Sequence, residues 1–299
     1  MDFTLKKYRQ LITVLKECGI PFIGFSDLAK GGCTGFIVLR HDVDRKPENA
    51  LNMARAEAEE GIKASYHFRA PGGPLRDRFI SGIAGLGHEI AYHYEDFSAV
   101  AGRGAAGRGF TDPSMVDAAV SRFRSNLADL RGIVPVTVIS MHGSPLSTID
   151  NRLLWKYFDY RTEGIVCEPY FNVDVSDVLY LTDTGRSWDS ERSVMRDRGL
   201  TAGEVPLAGG YEVWKVKPVR GSLMDMTPEG LQFREKFRIR KTDEMIDMAL
   251  SHMLPSRMII NTHPQRWNND IFGWFTELIM QNLKNPIKVI VRSSKNFYR

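Results

Sequence analysis

The chain is poor in cysteine and has no long hydrophobic run. Its three cysteines, Cys18, Cys33 and Cys167, match no zinc-binding spacing, and their odd number excludes a complete set of disulfides. No apolar run approaches the roughly 20 residues that a transmembrane helix needs. The first residues mix charged and apolar side chains and lack the apolar core of a signal peptide. The sequence therefore predicts a cytoplasmic protein with reduced thiols.

An excess of charge of one sign is also missing. The chain carries 40 basic and 36 acidic residues, a formal net charge of +4, and this balance argues against nucleic acid as the main partner. Hydrophobic residues make up 43% of the chain, which is ordinary for a globular protein. Internal repeats and low-complexity tracts are absent as well. We predict a single domain over residues 1–299, with 1–30 as an N-terminal helical extension.

Short apolar runs alternate with amphipathic helical patterns along the chain. Continuously apolar runs are typical of parallel strands covered by helices. The predicted strands are 36–41, 62–68, 88–93, 136–141, 177–182 and 258–262. The predicted helices are 5–18, 47–61, 76–86, 113–132, 242–254 and 270–284, with another beginning at 147–150 and a flexible loop at 102–109. This alternation predicts an α/β fold with barrel-like winding.

Acidic and histidine side chains follow these predicted strands. The first strand ends in Arg40-His41-Asp42-Val43-Asp44, where Asp42 and Asp44 point to the same side of an extended backbone. Two adjacent carboxylates repel each other unless a proton or a cation lies between them. Later strand ends carry Arg69, His93 with Glu95 and Asp96, His142, Asp183 and His263. Because such ends converge on one face of the fold, the pattern predicts metal binding or acid–base chemistry there.

Each of these groups taken alone also has a structural explanation. Asp44 can lie in a solvated turn at the start of the next helix. His142 can be a turn histidine, and His263 can bond to backbone at the end of its strand. Only their joint appearance at successive strand ends favours a functional site.

Three segments resemble motifs of the polysaccharide deacetylase family, also called the NodB-homology deacetylases. They are Arg40-His41-Asp42-Val43-Asp44, Gly87-His88-Glu89-Ile90-Ala91-Tyr92-His93 and Thr262-His263-Pro264, in the family's order. The first is similar to an intracellular branch that has Asp-Val-Asp in place of two adjacent aspartates. The resemblance implies an irregular (β/α) barrel of about seven strands. It also implies an enzyme that hydrolyses a linear amide bond, removing an acetyl group from an N-acetylated sugar with one divalent metal ion.

The resemblance implies roles for individual residues. Asp42 corresponds to the catalytic base, Asp44 to the metal-binding aspartate, and His93 to the first metal-binding histidine. His263 corresponds to the catalytic acid, which Asp183 helps to orient. Zinc is the expected ion, because it lowers the pKa of a bound water to about 7.

One position departs from the family pattern. The family's second metal-binding histidine stands four residues after the first, where this chain has Phe97, which cannot bind a metal. His142 is the first replacement to consider, since it ends a neighbouring strand. Glu95 or Asp96 is the second, since a carboxylate suits a hard ion. Loss of the metal is the remaining alternative.

Substrate binding is assigned to Trp188, Trp267 and Arg69. Trp188 lies in a segment similar to the family motif whose tryptophan lines the acetyl pocket. Trp267 follows His263 closely and can stack on a sugar ring, although the alternative for any tryptophan is a place in the core. Arg69, or else Arg161, takes the place of the family's arginine motif. Because a signal peptide is missing, the predicted substrate is a nucleotide- or lipid-linked precursor of a surface polysaccharide.

Two other functions stay open at this level. Relatives of this fold cleave other C–N bonds, including those of cyclic amides, sometimes without a metal. The chain can also be a degenerate deacetylase that only binds sugar. The presence of both a base, Asp42, and an acid, His263, argues against the second alternative, since binding alone needs neither.

Overall fold

Parallel strands build the centre of the molecule. The computed structural model describes residues 1–70, 72–101, 113–143, 150–184, 186–188 and 213–270. The strands in these ranges are β1 (Phe36–Val43), β2 (Ser65–Phe68), β3 (Glu89–Tyr94), β4 (Ile139–Met141), β5 (Leu179–Thr182) and β6 (Arg257–Thr262). They form one curled half-barrel sheet in the order β4–β3–β2–β1–β6–β5, with every pair parallel. The predicted α/β class with barrel-like winding is confirmed to this extent.

Helices connect the strands and cover the sheet. Those in the described ranges are α1 (Leu5–Glu17), α2 (Phe25–Lys30), α3 (Pro47–Glu59), α4 (Pro74–Gly85), α5 (Asp96–Ala101), α6 (Pro113–Arg131), α7 (Pro169–Asn172), α8 (Pro228–Glu235) and α9 (Thr242–Leu250). Five of the predicted helices are present with small differences at their ends. The loop predicted at 102–109 and the helix predicted at 270–284 lie outside the described residues.

Some local predictions differ from the structure. The helix expected to begin at 147–150 is a short 3-10 helix, Asn151–Lys156, and residues 144–149 lie outside the described ranges. Its first turn is closed by the side chain of Asp150, which accepts a hydrogen bond from the amide of Arg152 at 2.9 Å. Helices α2, α5, α7 and α8 are not predicted from the sequence; α7 packs near β4 and α8 near β5.

The central strand β1 is buried along its whole length. Successive side chains of a strand point to opposite faces, so alternate residues of β1 contact different groups. His41 faces α3, where its Nε2 lies 2.8 Å from Oε1 of Glu57. Arg40 and Asp42 face the other side of the sheet and pair with each other. The alternation thus separates a helix-facing polar cluster from the groups at the candidate site.

The N-terminal helix α1 contributes buried side chains to the same core, among them Tyr8, Leu11, Ile12 and Leu15. It packs against α3 and α9. In the described part of the chain, no helix combines the length and apolar character needed to cross a membrane.

Candidate metal centre

The ends of β1, β3 and β4 bring together Asp44, His93 and His142. One ligand atom from each lies within 4.8 Å of the other two. Oδ1 of Asp44 is 3.8 Å from Nε2 of His93 and 3.5 Å from Nε2 of His142. The parallel pairing of β3 with β4 explains the approach of the rings, because the amide of His142 donates to the carbonyl of Tyr94 at 2.8 Å.

The residues of this cluster fit a divalent metal ion. Oδ1 of Asp44 is buried and has no hydrogen-bond partner among the described residues. Its separations from the two histidine nitrogens exceed those of ordinary hydrogen bonds. Ligand bonds of about 2.0–2.2 Å to a tetrahedral ion put ligand atoms roughly 3.3–3.6 Å apart, close to the observed distances. A divalent ion would therefore be a suitable partner for Oδ1 of Asp44, which has none among the described residues.

Hydrogen bonds to the other ring nitrogens orient both histidines for this role. Nδ1 of His93 lies 3.2 Å from the carbonyl oxygen of Ser140, and Nδ1 of His142 lies 2.8 Å from Oε2 of Glu95. Both partners accept hydrogen bonds, so Nδ1 carries the proton and Nε2 keeps its lone pair. Burial also lowers the pKa of His93 to about 4, which keeps that ring neutral near pH 7. Metal-binding histidines are commonly held in this way.

Asp42 lies beside the cluster and is held by an arginine. Arg40 donates from Nε and Nη2 to the two carboxylate oxygens at 2.9 and 3.0 Å, and Asn261 donates to Oδ2 at 3.0 Å. Burial raises the pKa of Asp42, but Arg40 and then His93 lower it by more, so the pKa lies well below its ordinary value. Asp42 is thus an ionised carboxylate. Both of its oxygens accept hydrogen bonds, whereas Oδ1 of Asp44 accepts none from the described residues.

His67 forms a second group with Asp42 and His93, and the ligand atoms of these three also cluster. Nδ1 of His67 lies 2.7 Å from the hydroxyl of Ser140, and burial, followed by the charge of Arg40, holds its pKa well below the ordinary value. The guanidinium already supplies the positive charge on this side, and it would repel an ion placed there. The first group is therefore the better metal site.

His263 and Asp183 form a hydrogen-bonded pair at the ends of β6 and β5. Nδ1 of His263 lies 2.7 Å from Oδ1 of Asp183, and the His263 amide donates to Oδ2 at 2.9 Å. Arg266 and the indole of Trp267 donate to the same carboxylate. Burial raises the pKa of Asp183, while Arg266 and His263 together lower it below its usual range. Thr262 pairs with His41 in the register of β6 on β1, so His263 follows β6 beside Asp42.

The resemblance predicts a second metal-binding histidine at the position of Phe97, but the histidine that lies with Asp44 and His93 is His142. Phe97 itself is fully buried in α5. Of the alternatives considered, His142 joins the cluster, whereas Glu95 bonds to the far side of the His142 ring. Asp96 is buried elsewhere and accepts a hydrogen bond from Asn126 at 2.7 Å.

The residues assigned to substrate binding are engaged within the protein. Trp188 is 0% and Trp267 2% exposed, and the two rings pack together with Phe3 at centroid distances of 5.1–6.1 Å. Stacking on a sugar requires a ring face open to the site, and neither shows one in the described part of the chain. Arg69 donates from Nε and Nη2 to Oε1 of Glu95. The structure thus places both tryptophans in the core and Arg69 against Glu95, which contacts His142.

Arg40 and Asn261 are not among the site residues that the sequence predicts. The sequence offers Arg69 or Arg161 as the family's arginine, and the side chain of Arg161 is 57% exposed. Arg40 stands two residues before Asp42, and side chains two apart on a strand share a face. That alternation was the available indication for Arg40, whereas nothing local pointed to Asn261 on a strand far along the chain.

Comparisons with known proteins give no match: no protein-family model fits the chain, and no curated protein is significantly similar to it. The resemblance of three short segments to the deacetylase family therefore stays a prediction. The arrangement of the buried aspartates and histidines carries the functional argument.

Proposed function

We propose that this protein is a metal-dependent hydrolase that removes an acetyl group from an N-acetylated sugar, as polysaccharide deacetylases do. One observation carries the proposal: the unpartnered Oδ1 of Asp44 faces Nε2 of His93 and Nε2 of His142. Next to it lie an ionised carboxylate and a histidine–aspartate pair. Together these groups match the three needs of amide hydrolysis, namely an electrophilic ion, a base and an acid.

Asp44, His93 and His142 would hold the ion, for which zinc is the expected metal. Such an ion supplies Lewis acidity, which polarises an amide carbonyl and makes a water molecule more acidic. Three protein ligands are also the usual number in catalytic zinc sites, where a coordination position stays open. The ligand set is thus catalytic in type.

Asp42 acts as the base that accepts a proton from the attacking water. Arg40 and Asn261 hold its carboxylate in place and keep it ionised at neutral pH. A carboxylate with so low a pKa is a weak base, so it depends on the water having been made more acidic. The same two partners occupy both oxygens, which favours Asp42 as a base over Asp42 as a ligand.

His263 acts as the acid that protonates the departing amine. Without that proton, the nitrogen would have to leave as an amide anion, which is a very poor leaving group. Asp183 accepts the hydrogen bond from Nδ1 of His263, which fixes the orientation of the ring. Nε2 is then the atom that gives up the proton.

Acetate release from N-acetylated sugars tests this proposal. The zinc-loaded protein is assayed with free, oligomeric, nucleotide-linked and lipid-linked N-acetyl sugars, and acetate is measured. Asp42→Asn and His263→Ala should each reduce turnover by roughly 10²–10⁴-fold while zinc stays bound, because each removes one proton-transfer group. His252→Ala is the matched control, since that histidine is exposed and remote from the cluster.

Metal analysis of the ligand variants completes the test. The parent should bind about one equivalent of zinc, and Asp44→Asn and His93→Ala should remove it. Stoichiometric zinc that survives both substitutions would refute the assigned site. Release of a product other than acetate would indicate hydrolysis of a different C–N bond. Sugar binding without turnover, unaffected by Asp42→Asn, would indicate a binding protein.

A further inference from the structure

We infer that Glu95, itself fixed by Arg69, is the positioning residue that lets His142 serve as a metal ligand where Phe97 replaces the expected histidine. This inference rests on the metal site of the proposed function, although it does not depend on the reaction. It assigns Arg69 to the support of the metal site in place of substrate binding.

Glu95 determines which nitrogen of His142 carries the proton. Its Oε2 lies 2.8 Å from Nδ1 of His142, and an ionised carboxylate can only accept. The proton therefore lies on Nδ1, and the lone pair of Nε2 points toward Oδ1 of Asp44, 3.5 Å away. The opposite tautomer would put a hydrogen atom where the ion has to bind.

Arg69 determines which oxygen of Glu95 is left for the histidine. Both Nε, at 3.1 Å, and Nη2 of Arg69 donate to Oε1 of Glu95. Oε2 is left for His142 alone. Arg69 is anchored in turn, because Arg76 donates to its backbone carbonyl at 2.7 Å. The arginine thus holds Glu95 at the back of the ring and away from the ion.

The backbone of His142 is held by other groups. Its amide donates to the carbonyl of Tyr94 at 2.8 Å, and its carbonyl accepts from Nδ2 of Asn151 at 3.2 Å. Oδ1 of Asn151 accepts the amide of Ser98 at 2.8 Å. A change at Glu95 should therefore alter the orientation and tautomer of the ring while the chain stays in place.

The variant Glu95→Gln turns this arrangement into a specific expectation. Arg69 offers only donors, so it draws the carbonyl oxygen of the new amide to itself and turns the NH₂ group toward Nδ1 of His142. A donor at that place favours the wrong tautomer of the ring. Removing the guanidinium with Arg69→Met frees the amide to turn over, so that its oxygen again accepts from His142.

Zinc titration against a chromophoric chelator tests the inference. Glu95→Gln should weaken zinc binding by about 10–100-fold, the usual effect of losing such a supporting carboxylate. The double variant Glu95→Gln with Arg69→Met should bind zinc more tightly than Glu95→Gln alone. Asp96→Asn is the matched control, since Asp96 is the next residue and a buried carboxylate bonded away from the cluster; its zinc affinity should equal that of the parent.

The results separate this inference from the proposed function. Absorption of the cobalt-substituted proteins adds a second measurement, because its d–d bands report the ligands directly; they should change in Glu95→Gln and not in Asp96→Asn. Parental zinc affinity and cobalt bands in Glu95→Gln would overturn the inference and leave the metal site standing. A double variant no tighter than Glu95→Gln would overturn the part assigned to Arg69. Failure of the parent to bind zinc would instead count against the proposed function.

Discussion

Two aspartates at the end of β1 have different hydrogen-bond partners. Nε2 of His93 lies 3.9 Å from Asp42 and 3.8 Å from Asp44, so distance to the histidine does not separate them. Arg40 and Asn261 engage both oxygens of Asp42, whereas Oδ1 of Asp44 is buried without a hydrogen-bond partner in the described structure. Hydrogen bonding therefore distinguishes the two carboxylates, which is why we propose Asp42 as the base and Asp44 as the metal ligand.

The pair of Arg40 and Asp42 leads to a stability prediction. Arg40→Met should lower the free energy of unfolding by about 3–5 kcal/mol, because it leaves a buried carboxylate without its counter-charge. The double variant Arg40→Met with Asp42→Asn should recover a large part of this loss. Urea unfolding measures all three proteins, and Arg55→Met, at an exposed position of α3, is the control. Equal losses in the single and double variants would show that the ion pair is not the cause.

The buried carboxyl group of Glu168 should make the free energy of unfolding depend on pH. Burial raises its pKa from the ordinary value of 4.5 to about 7, despite the opposing charge of Arg152. The folded state therefore binds more protons than the unfolded state between these values. The contribution of Glu168 to the free energy of unfolding is fully present below about pH 4.5. It falls by about 3 kcal/mol as the pH rises through about 7.

Urea unfolding from about pH 5 to about pH 8 measures this effect. Other groups titrate in the same window, so the useful quantity is the difference between the parent and Glu168→Gln. The decline in the free energy of unfolding should be smaller in Glu168→Gln, because its amide does not ionise. Parallel pH profiles for the two proteins would contradict the prediction.

At the scale of secondary-structure elements, one buried carboxylate joins two helices to two strands. Glu57 of α3 accepts hydrogen bonds from Tyr8 of α1 and from Tyr66 of β2, the latter at 2.6 Å. Its Oε1 also lies 2.8 Å from Nε2 of His41 on β1. Burial raises the pKa of Glu57, but His41 and the hydrogen bonds lower it by more, so the carboxylate is ionised. Contacts with Glu57 therefore connect helices α1 and α3 to strands β1 and β2.

Glu57→Gln should consequently destabilise the fold without touching the metal site. The amide cannot accept all of these hydrogen bonds, and a buried donor left unsatisfied costs about 1–3 kcal/mol. Glu59→Gln on the same helix is the control, because Glu59 is exposed and its ion pair with Arg9 lies at the surface. Urea unfolding should separate the two variants, and both should keep the parental zinc affinity. A loss of zinc binding in Glu57→Gln would contradict the separation of the two faces.

The strands and helices that could be predicted are those whose formation depends on residues close together in the sequence. Strand β1 begins with the continuous apolar run Phe36-Ile37-Val38-Leu39, and α3 begins with Pro47 at its first turn. Helix α2 has no such local indication, because its first amides, of Phe25 and Ser26, donate to the carboxylate of Glu89 on β3. That partner is distant in the chain, so only the folded structure brings it to the helix.

The same distinction applies to the site. His142 could be predicted, since strand ends converge in parallel α/β folds whatever their separation in the chain. The contact of Glu95 with His142 could not, because it depends on the directions of two side chains on different strand ends. The burial of Trp267 likewise depends on Phe3 and Tyr8 from the start of the chain. The sequence pattern predicts which side chains lie at the same edge of the sheet. Tertiary packing determines which of them are in contact.

For the molecule as a whole, the cluster of Asp44, His93 and His142 depends on completed folding. These residues stand at the ends of three strands, and Asp44 and His142 are far apart in the sequence. In the unfolded state these groups are far apart, so an ion that binds the folded protein stabilises it by mass action. Stability measurements thus report on the site without any substrate.

Zinc should therefore raise the resistance of the protein to urea. The expected gain is about 2.7 kcal/mol when free zinc is about 100 times its Kd. Asp44→Asn should abolish this gain, because it removes the carboxylate whose oxygen has no other partner. Asp42→Asn should retain it, because Arg40 and Asn261 already occupy that side chain. The two substitutions lie two residues apart at the end of β1 and make the same chemical change, so unequal responses to zinc would identify the ligand directly. Equal gains in both would mean that zinc binds elsewhere, and the separate roles of the two aspartates would then fail.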